Sequence, residues 1–511
     1  MTIPQNGRVR ARSGDQEPMS ISTELAKRIL SMQFEDLPEK AVSSAQMAIV
    51  DTVGVALAGA HEEATTIVER VLGKGQTRGP CLVFGGKRRT TCLNATFINS
   101  IAAHALDFDD CSNTLGGHPS VPIVPALLAL AEEVDVSGRE LLLAYVTGFE
   151  TEARIARAVN FHHYEKGWHP TSTIGIFGAT AACARLLGLP KECVATALSL
   201  SVSLASGVKA NFGTMAKALQ VGQCSRNGLL AALLARDGFT ADQGAFEHTH
   251  GFLNVFDGPG TFDADKVLDH WADPLDIVTP GVAIKQYPCC GSTHPAIDAT
   301  LEIVRAHRIE PGQVSQIDAW IHPRRLAHTN RPDPQSVLEA KFSVQYCVAR
   351  ALAYGKVTLE SFEGKAFSDP TTRRIMARVR VAPYTDVQFD SSNHFGAELK
   401  VRLVNEQTYS AKVQSALGRT SDNPLSQDLL QAKFEDCAGR VLSPERVSRL
   451  YASIRHLDYV RSVRDLTAMM ATDAAVQPPC SDRSTLSRRH VKMPERLASY
   501  RRPAPSRDRG C

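Results

Sequence analysis

Residues 175–187 read Gly-Ile-Phe-Gly-Ala-Thr-Ala-Ala-Cys-Ala-Arg-Leu-Leu. Small or apolar side chains fill every turn and only Arg185 is charged, so a helix built here has no polar face to offer water. The same character returns at 195–207 and 228–235. Ala, Gly and Ser allow neighbouring helix backbones to approach closely, so these stretches predict a buried helical core and not a surface bundle. Outward from them, apolar residues recur at three- and four-residue spacing from Ile21 to about Phe256, with Gly or Pro at segment ends. Pro38 ahead of Ala41, Val42, Ala45, Ile49 and Val53 marks one start, because a first-turn proline loses no helix hydrogen bond.

The pattern changes after the turn Asp257-Gly258-Pro259-Gly260. Period-two alternation predicts strands at 317–322, 379–381, 398–403 and 408–413, the last two joined as a hairpin through Asn405-Glu406-Gln407. Helical spacing lies between them at 293–306 and 337–352 and returns at 426–437 and 443–469. The expected fold is mainly α: a large all-helical domain formed by 19–280 and 416–472, with a smaller α+β domain, 281–415, inserted into it. Residues 1–18 and the Pro-bearing stretch 473–511 read as disordered tails.

The chain has 511 residues, 43% hydrophobic and 22% charged, the balance of an ordinary globular protein. The longest uninterrupted apolar run, near 123–131, falls short of the roughly 18 residues a bilayer demands, so no membrane span is expected. Arg8, Arg10 and Arg12 are followed by no apolar segment of the secretory kind. Twelve cysteines are too few for a disulfide scaffold, and a reduced, cytoplasmic location is expected. Net charge is +3, but nine Lys/Arg against four Asp/Glu follow residue 470, leaving the body slightly acidic and arguing against nucleic acid as a partner.

Four clusters carry chemistry. The first is His104, then Asp107-Phe108-Asp109-Asp110, then Cys111 to Gly117 and His118-Pro119-Ser120. Three carboxylates within four residues repel one another and need counter-charges or donors, although a solvated loop would look alike. The few aromatics argue against the carbocation chemistry that uses similar acidic strings. The second, Trp168-His169-Pro170-Thr171, leads into the small-residue helix, whose start offers N–H groups to an anion with His169 at its mouth. Capping alone is the plainer alternative. The third, Met215-Ala216-Lys217, sets one lysine in a buried pattern, where an anion partner is expected. The fourth, Ile284-Lys285-Gln286-Tyr287-Pro288-Cys289-Cys290-Gly291, has adjacent cysteines without the spacing of zinc or iron–sulfur sites. No phosphate-binding glycine loop is present.

Together with Phe342-Ser343-Val344-Gln345-Tyr346, these strings in this order resemble the MmgE/PrpD family, which includes cis-aconitate decarboxylases, 2-methylcitrate dehydratases and iminodisuccinate epimerases. The resemblance runs from about 21 to 470. It implies a helical domain, an α+β lid, a cleft between them, a homodimer, and neither metal nor organic cofactor. By the same resemblance, His118, His169 and Asp107 are the catalytic residues, while Lys217, Lys285, Tyr346 and Cys111 bind substrate. Cys111 stands where decarboxylases of the animal type carry threonine, with Asn113 or Thr114 as alternative donors.

The implied substrate is a small anionic di- or tricarboxylate. Lysines and histidines offset its charge, Tyr346 hydrogen-bonds a carboxylate, Asp107 orients a histidine, and histidines move the proton. Loss of CO2 in the manner of cis-aconitate decarboxylase is the leading expectation. Water loss and epimerisation are the alternatives, and a non-catalytic helical binding protein is the alternative of another class.

Overall fold

The computed structural model describes residues 20–73, 78–390 and 393–472; both expected tails lie outside these residues. Helix Glu39–Gly59, entered through Pro38, is buried over nearly its whole second half. It packs on helices Cys92–Ala105, Ser120–Val134 and Gln427–Ala438. Ile49, Val53 and Leu57 share one apolar cluster with Leu127, Phe149 and Phe434.

A second cluster, with Phe177, Ala181, Leu198 and Leu229, joins helices Gly175–Leu186, Lys191–Leu204 and Met215–Arg236. Small residues set these approaches: a Cβ at Gly148 would stand 2.6 Å from the Gly178 carbonyl oxygen, and one at Gly228 2.6 Å from the Ala179 methyl. The mainly helical character read from the Ala/Gly-rich stretches is therefore the observed one.

Two sequence expectations need correction here. Helix Glu39–Gly59 is long and apolar enough to cross a membrane, although no unbroken apolar run announced it. Gln46 and Asp51 interrupt its composition, and 72% of its most apolar window is buried against other helices, as in a core helix. The helix expected to start at Trp168-His169-Pro170 is instead a single turn, Pro170–Thr173, and the long helix begins only at Gly175. His169 therefore precedes a short turn and not the mouth of a long helix.

Residues beyond 281 hold a four-stranded sheet in the order Val379–Pro383, Val314–Ile321, Ala397–Leu403, Thr408–Val413. The first pair is parallel and the others antiparallel. The hairpin forms in the expected place, with Arg402 opposite Thr408 and Glu406 at φ +68 in its turn. Ala397, Leu399, Val401 and Leu403 face inward while Glu398, Lys400 and Arg402 point out, the alternation expected of a half-buried strand. Helices His294–His307 and Val344–Tyr354 cover the sheet and share its apolar core. The single helix expected over 337–352 is broken at 341–343, because Ser343 caps the second piece by accepting from the Tyr346 N–H.

After the sheet, Gln427–Ala438 and Pro444–Arg455 place Leu430, Phe434, Leu450 and Ile454 back in the cluster built on Glu39–Gly59. Phe434 touches the bare face at Gly54, whose added Cβ would lie 2.9 Å from the Phe434 ring. Phe434→Ala is expected to cost about 3–5 kcal/mol. It should lower the urea midpoint of the main unfolding transition; an unchanged midpoint would show that this helix is not part of the main core.

Candidate active site

The site grows from the end of helix Cys92–Ala105, which Thr91 caps at its start. At its other end Leu106 is the C-cap and Asp107 takes φ +53, the left-handed conformation that Asp tolerates better than most residues and that commonly ends helices. The carbonyls there have no helical N–H to accept. Three buried lysines supply donors instead. Lys341 Nζ reaches the Leu106 oxygen, Lys285 Nζ the Asp107 oxygen at 2.7 Å, and Lys433 Nζ the Phe108 oxygen at 2.8 Å. Lys433 also pairs with Asp51 at 2.5 Å.

The three carboxylates that follow meet different surroundings. Asp107 Oδ1 accepts from Lys217 Nζ at 2.6 Å and lies 3.2 Å from Lys285 Nζ. Burial alone would raise its pKa, but these two ammonium groups outweigh it and hold the carboxyl far below its ordinary range. Asp109 Oδ2 lies 2.7 Å from His104 Nδ1 and 3.0 Å from His118 Nδ1, and it too stays ionised against burial. Asp110 accepts from the Ser120 hydroxyl and N–H at the head of helix Ser120–Val134, and burial, with Asp51 nearby, pushes its pKa far up.

The histidines divide in the same way. Burial favours neutral His118, but Asp109 and then Cys111 raise its pKa to about 10, so it is cationic at neutral pH. His104, with the same carboxylate but deeper burial, is lowered to about 4. His169 is pushed well below its ordinary value by burial and Lys217. Its Nδ1 donates to Gln220 Oε1 at 2.8 Å, an orientation set by Gln220 Nε2 donating to the Val208 oxygen. That leaves His169 Nε2 as an acceptor with no partner among the described residues. The rings cluster, with His104 4.6 Å from His118 and 6.0 Å from His169 between centroids.

A short antiparallel bridge, Cys111 opposite Ala283 and Ser112 opposite Val282, brings the acidic loop beside Lys285. The Cys111 Sγ is 3.9 Å from His118 Nδ1; burial would raise the thiol, but His118 and Lys285 lower it to about 6. The His118 backbone N–H donates to Thr171 Oγ1 at 3.0 Å, and Gly117 leaves room for this approach, since a Cβ there would be 2.6 Å from that hydroxyl. Of the two alternative donors, Thr114 is committed to Asp276 at 2.6 Å, whereas Asn113 lines the cavity.

These groups surround a cavity of about 170 Å3. Asp107, Cys111, His118, His169, Lys217 and Lys285 all line it, so the structure brings together six of the seven expected site residues. The seventh, Tyr346, is a correction. It lies one turn into helix Val344–Tyr354, fully buried in the sheet region's core, with its ring 5.6 Å from Phe362 and its hydroxyl donating to the Ser361 carbonyl. Phe342, four residues earlier, is the one that reaches the cavity. Asp107 also differs in role: it lies 3.7 Å from His118 Nε2 and holds the lysines, while Asp109 orients the histidine. His104 and Asp109 stand in the quoted motif without a role, and the cavity-lining Arg325 and Arg419 lie in none of the quoted strings.

Among the described residues two groups have ligand atoms within 4.8 Å of one another, Cys81 with Cys92 and Glu133, and His104 with Asp109 and His118; the second is the one at this site. Zinc needs each ligand at about 2.0–2.3 Å. Here the Nδ1 atoms of both imidazoles hydrogen-bond the same Asp109 oxygen, while His104 Nε2 and Asp109 Oδ1 are buried without a hydrogen-bond partner among the described residues.

The chain is similar to proteins named cis-aconitate decarboxylase. It is 29% identical to the Homo sapiens protein over 465 residues, covering 88% of this chain and 94% of that one. It is 27% identical to the Mus musculus protein over 485 residues, covering 92% and 96%. An Aspergillus terreus protein of the same name is 25% identical over 475 residues, covering 88% and 96%. Residues 23–265 match the MmgE/PrpD N-terminal domain and residues 287–459 the MmgE/PrpD C-terminal domain. With the two domains in order over most of its length, the chain belongs to the MmgE/PrpD family.

Proposed function

We propose that the protein is a lyase that removes CO2 from a small unsaturated tricarboxylate, as the similar cis-aconitate decarboxylases are named for doing. The observation that carries this reading is the pairing, in one cavity, of a cationic histidine, His118, with a neutral one, His169, beside Lys217 and Lys285. In an allylic carboxylate the C–C bond to the departing CO2 breaks and its electron pair becomes a new double bond. The old π pair then takes a proton at the far alkene carbon. His118 supplies that proton and recovers it from solvent, and Asp109 holds the ring. Lys217 and Lys285 anchor carboxylates through their remaining N–H groups, with Asp107 fixing both.

We read 281–415 as an inserted lid: Cys290, Arg325, His328 and Phe395 from this stretch line the cavity that also holds His118. An acid beside an unpaired acceptor also suits removal of a proton next to a carboxylate, the opening step of water loss or epimerisation. That observation supports a second reading.

NMR in deuterated water with cis-aconitate, 2-methylcitrate and iminodisuccinate separates the readings. CO2 loss from cis-aconitate with one deuteron delivered to carbon is expected; water loss or solvent exchange with the other two, and none with cis-aconitate, would replace the decarboxylase reading. Alanine at His118 or His169 should lower kcat by about 10²–10⁴-fold. Alanine at Lys217 or Lys285 should act chiefly on KM. If both histidine variants keep kcat within a few-fold of the parent, the proton roles are misassigned. Activity should survive exhaustive dialysis against EDTA, and loss of a stoichiometric metal together with turnover would refute this.

His118 has a raised folded pKa, so its contribution to stability is complete below the ordinary 6.5 and is lost as pH rises through about 10. Histidine NMR should show one ring protonated up to about pH 10. Asp109→Asn should bring that titration toward neutrality and move the alkaline limb of activity with it; an unmoved titration would mean that Asp109 does not hold the charge.

A further inference from the structure

The lysine half of the cavity is already electrically answered. Lys217, Lys285 and His118 face Asp107, Asp109 and the acidified thiol of Cys111. The adjoining stretch of wall is different. Arg324 pairs with Glu165 at 2.6 Å, but neither Arg325 nor Arg419 has an ion pair among the described residues. Arg325 donates only to neutral groups, the His394 carbonyl and the Ser292 hydroxyl at 3.2 Å. Arg419 Nε is buried without a hydrogen-bond partner. Both guanidiniums rest on the Phe395 ring, 4.6 Å and 5.0 Å from its centroid, which fixes their planes before any ligand arrives. Burial, and after it the neighbouring Arg419, lowers the Arg325 pKa to about 10 against an opposing pull from the Cys290 thiol.

The backbone is shaped for this. Gly418, at φ +78, lies so close to the Ile284 carbonyl that a Cβ would be 2.4 Å from its oxygen, and this approach brings Arg419 alongside Lys285. At Gly291 a methyl would stand 3.3 Å from Arg419 Nη1 and 3.9 Å from Lys285 Cε, so the missing side chain keeps the two cations on one continuous wall.

We infer that Arg325 and Arg419, stacked on Phe395, form a second carboxylate-binding subsite that selects substrates carrying a carboxylate beyond those held by Lys217 and Lys285. This deepens the proposed function and rests on its carboxylate substrate. Planar guanidiniums grip a carboxylate through paired N–H groups, so the subsite reads geometry as well as charge.

The test is calorimetric binding of two unreactive probes, tricarballylate with three carboxylates and glutarate with two. The wild-type protein should bind tricarballylate the more tightly. Arg325→Gln and Arg419→Gln should weaken tricarballylate by about tenfold or more, with glutarate changed less than threefold, and Arg419→Lys should recover part of the loss. In the wild-type protein, tricarballylate should protect both arginines from phenylglyoxal, read by peptide mass spectrometry, which does not depend on any variant folding. Equal losses on both probes, no preference for the third carboxylate, or no protection would overturn the subsite. Selective loss of tricarballylate in a protein that does not decarboxylate cis-aconitate would uphold the subsite while the decarboxylase reading falls.

Discussion

Three consecutive carbonyls, those of residues 106–108, leave the end of helix Cys92–Ala105 with no N–H of the helix to accept, and each is met by a buried lysine. A buried peptide oxygen without a partner costs about 1–3 kcal/mol, so this requirement binds distant parts of the chain to one point. Lys285 comes from just beyond the short bridge, Lys341 from the broken helix, and Lys433 from the helix that returns after the sheet. With the carbonyls held, Asp107 is kept left-handed and its carboxylate is delivered to Lys217 and Lys285. Cations at a helix C-terminus are also favoured by its dipole, so the clamp works with the field already there.

The same loop shows how neighbouring groups of one chemical type are given different states. Asp107 sees lysines, Asp109 sees imidazoles, and Asp110 sees a hydroxyl and another acid, so two remain ionised and the third is pushed toward its neutral form. His118 and His104 share Asp109, yet His118 is driven up and His104 down. The balance between burial and partner, not residue type, separates a charged ring from a neutral one.

Much of the helical body was legible in the sequence because small residues at helical spacing have few other uses. The hairpin was legible because alternation and a polar turn agree. Six site residues were legible because they are polar groups set among apolar ones. Tyr346 was misjudged: its motif is local, but the direction of its ring depends on which face of Val344–Tyr354 covers the sheet. Arg325 and Arg419 could not be picked out among many arginines, because their meaning lies in lacking a carboxylate neighbour, a property of three dimensions. The break at 341–343 belongs with these, since a lysine that looks like an ordinary helical residue is needed at Leu106.

The ladder in which Cys111 faces Ala283 and Ser112 faces Val282 also has a mechanical side. It stitches the acidic loop to the chain just where that chain sets out toward the sheet, so the two walls of the cavity are sewn along one edge. Traffic in and out is left to the far edge, where Arg324 and His394 stand at the surface. A polyanion arriving there finds Arg324 already paired with Glu165 and meets arginines without an ion pair among the described residues only further in, at Arg325 and Arg419, so sorting by charge falls to the cavity wall and not to its doorway.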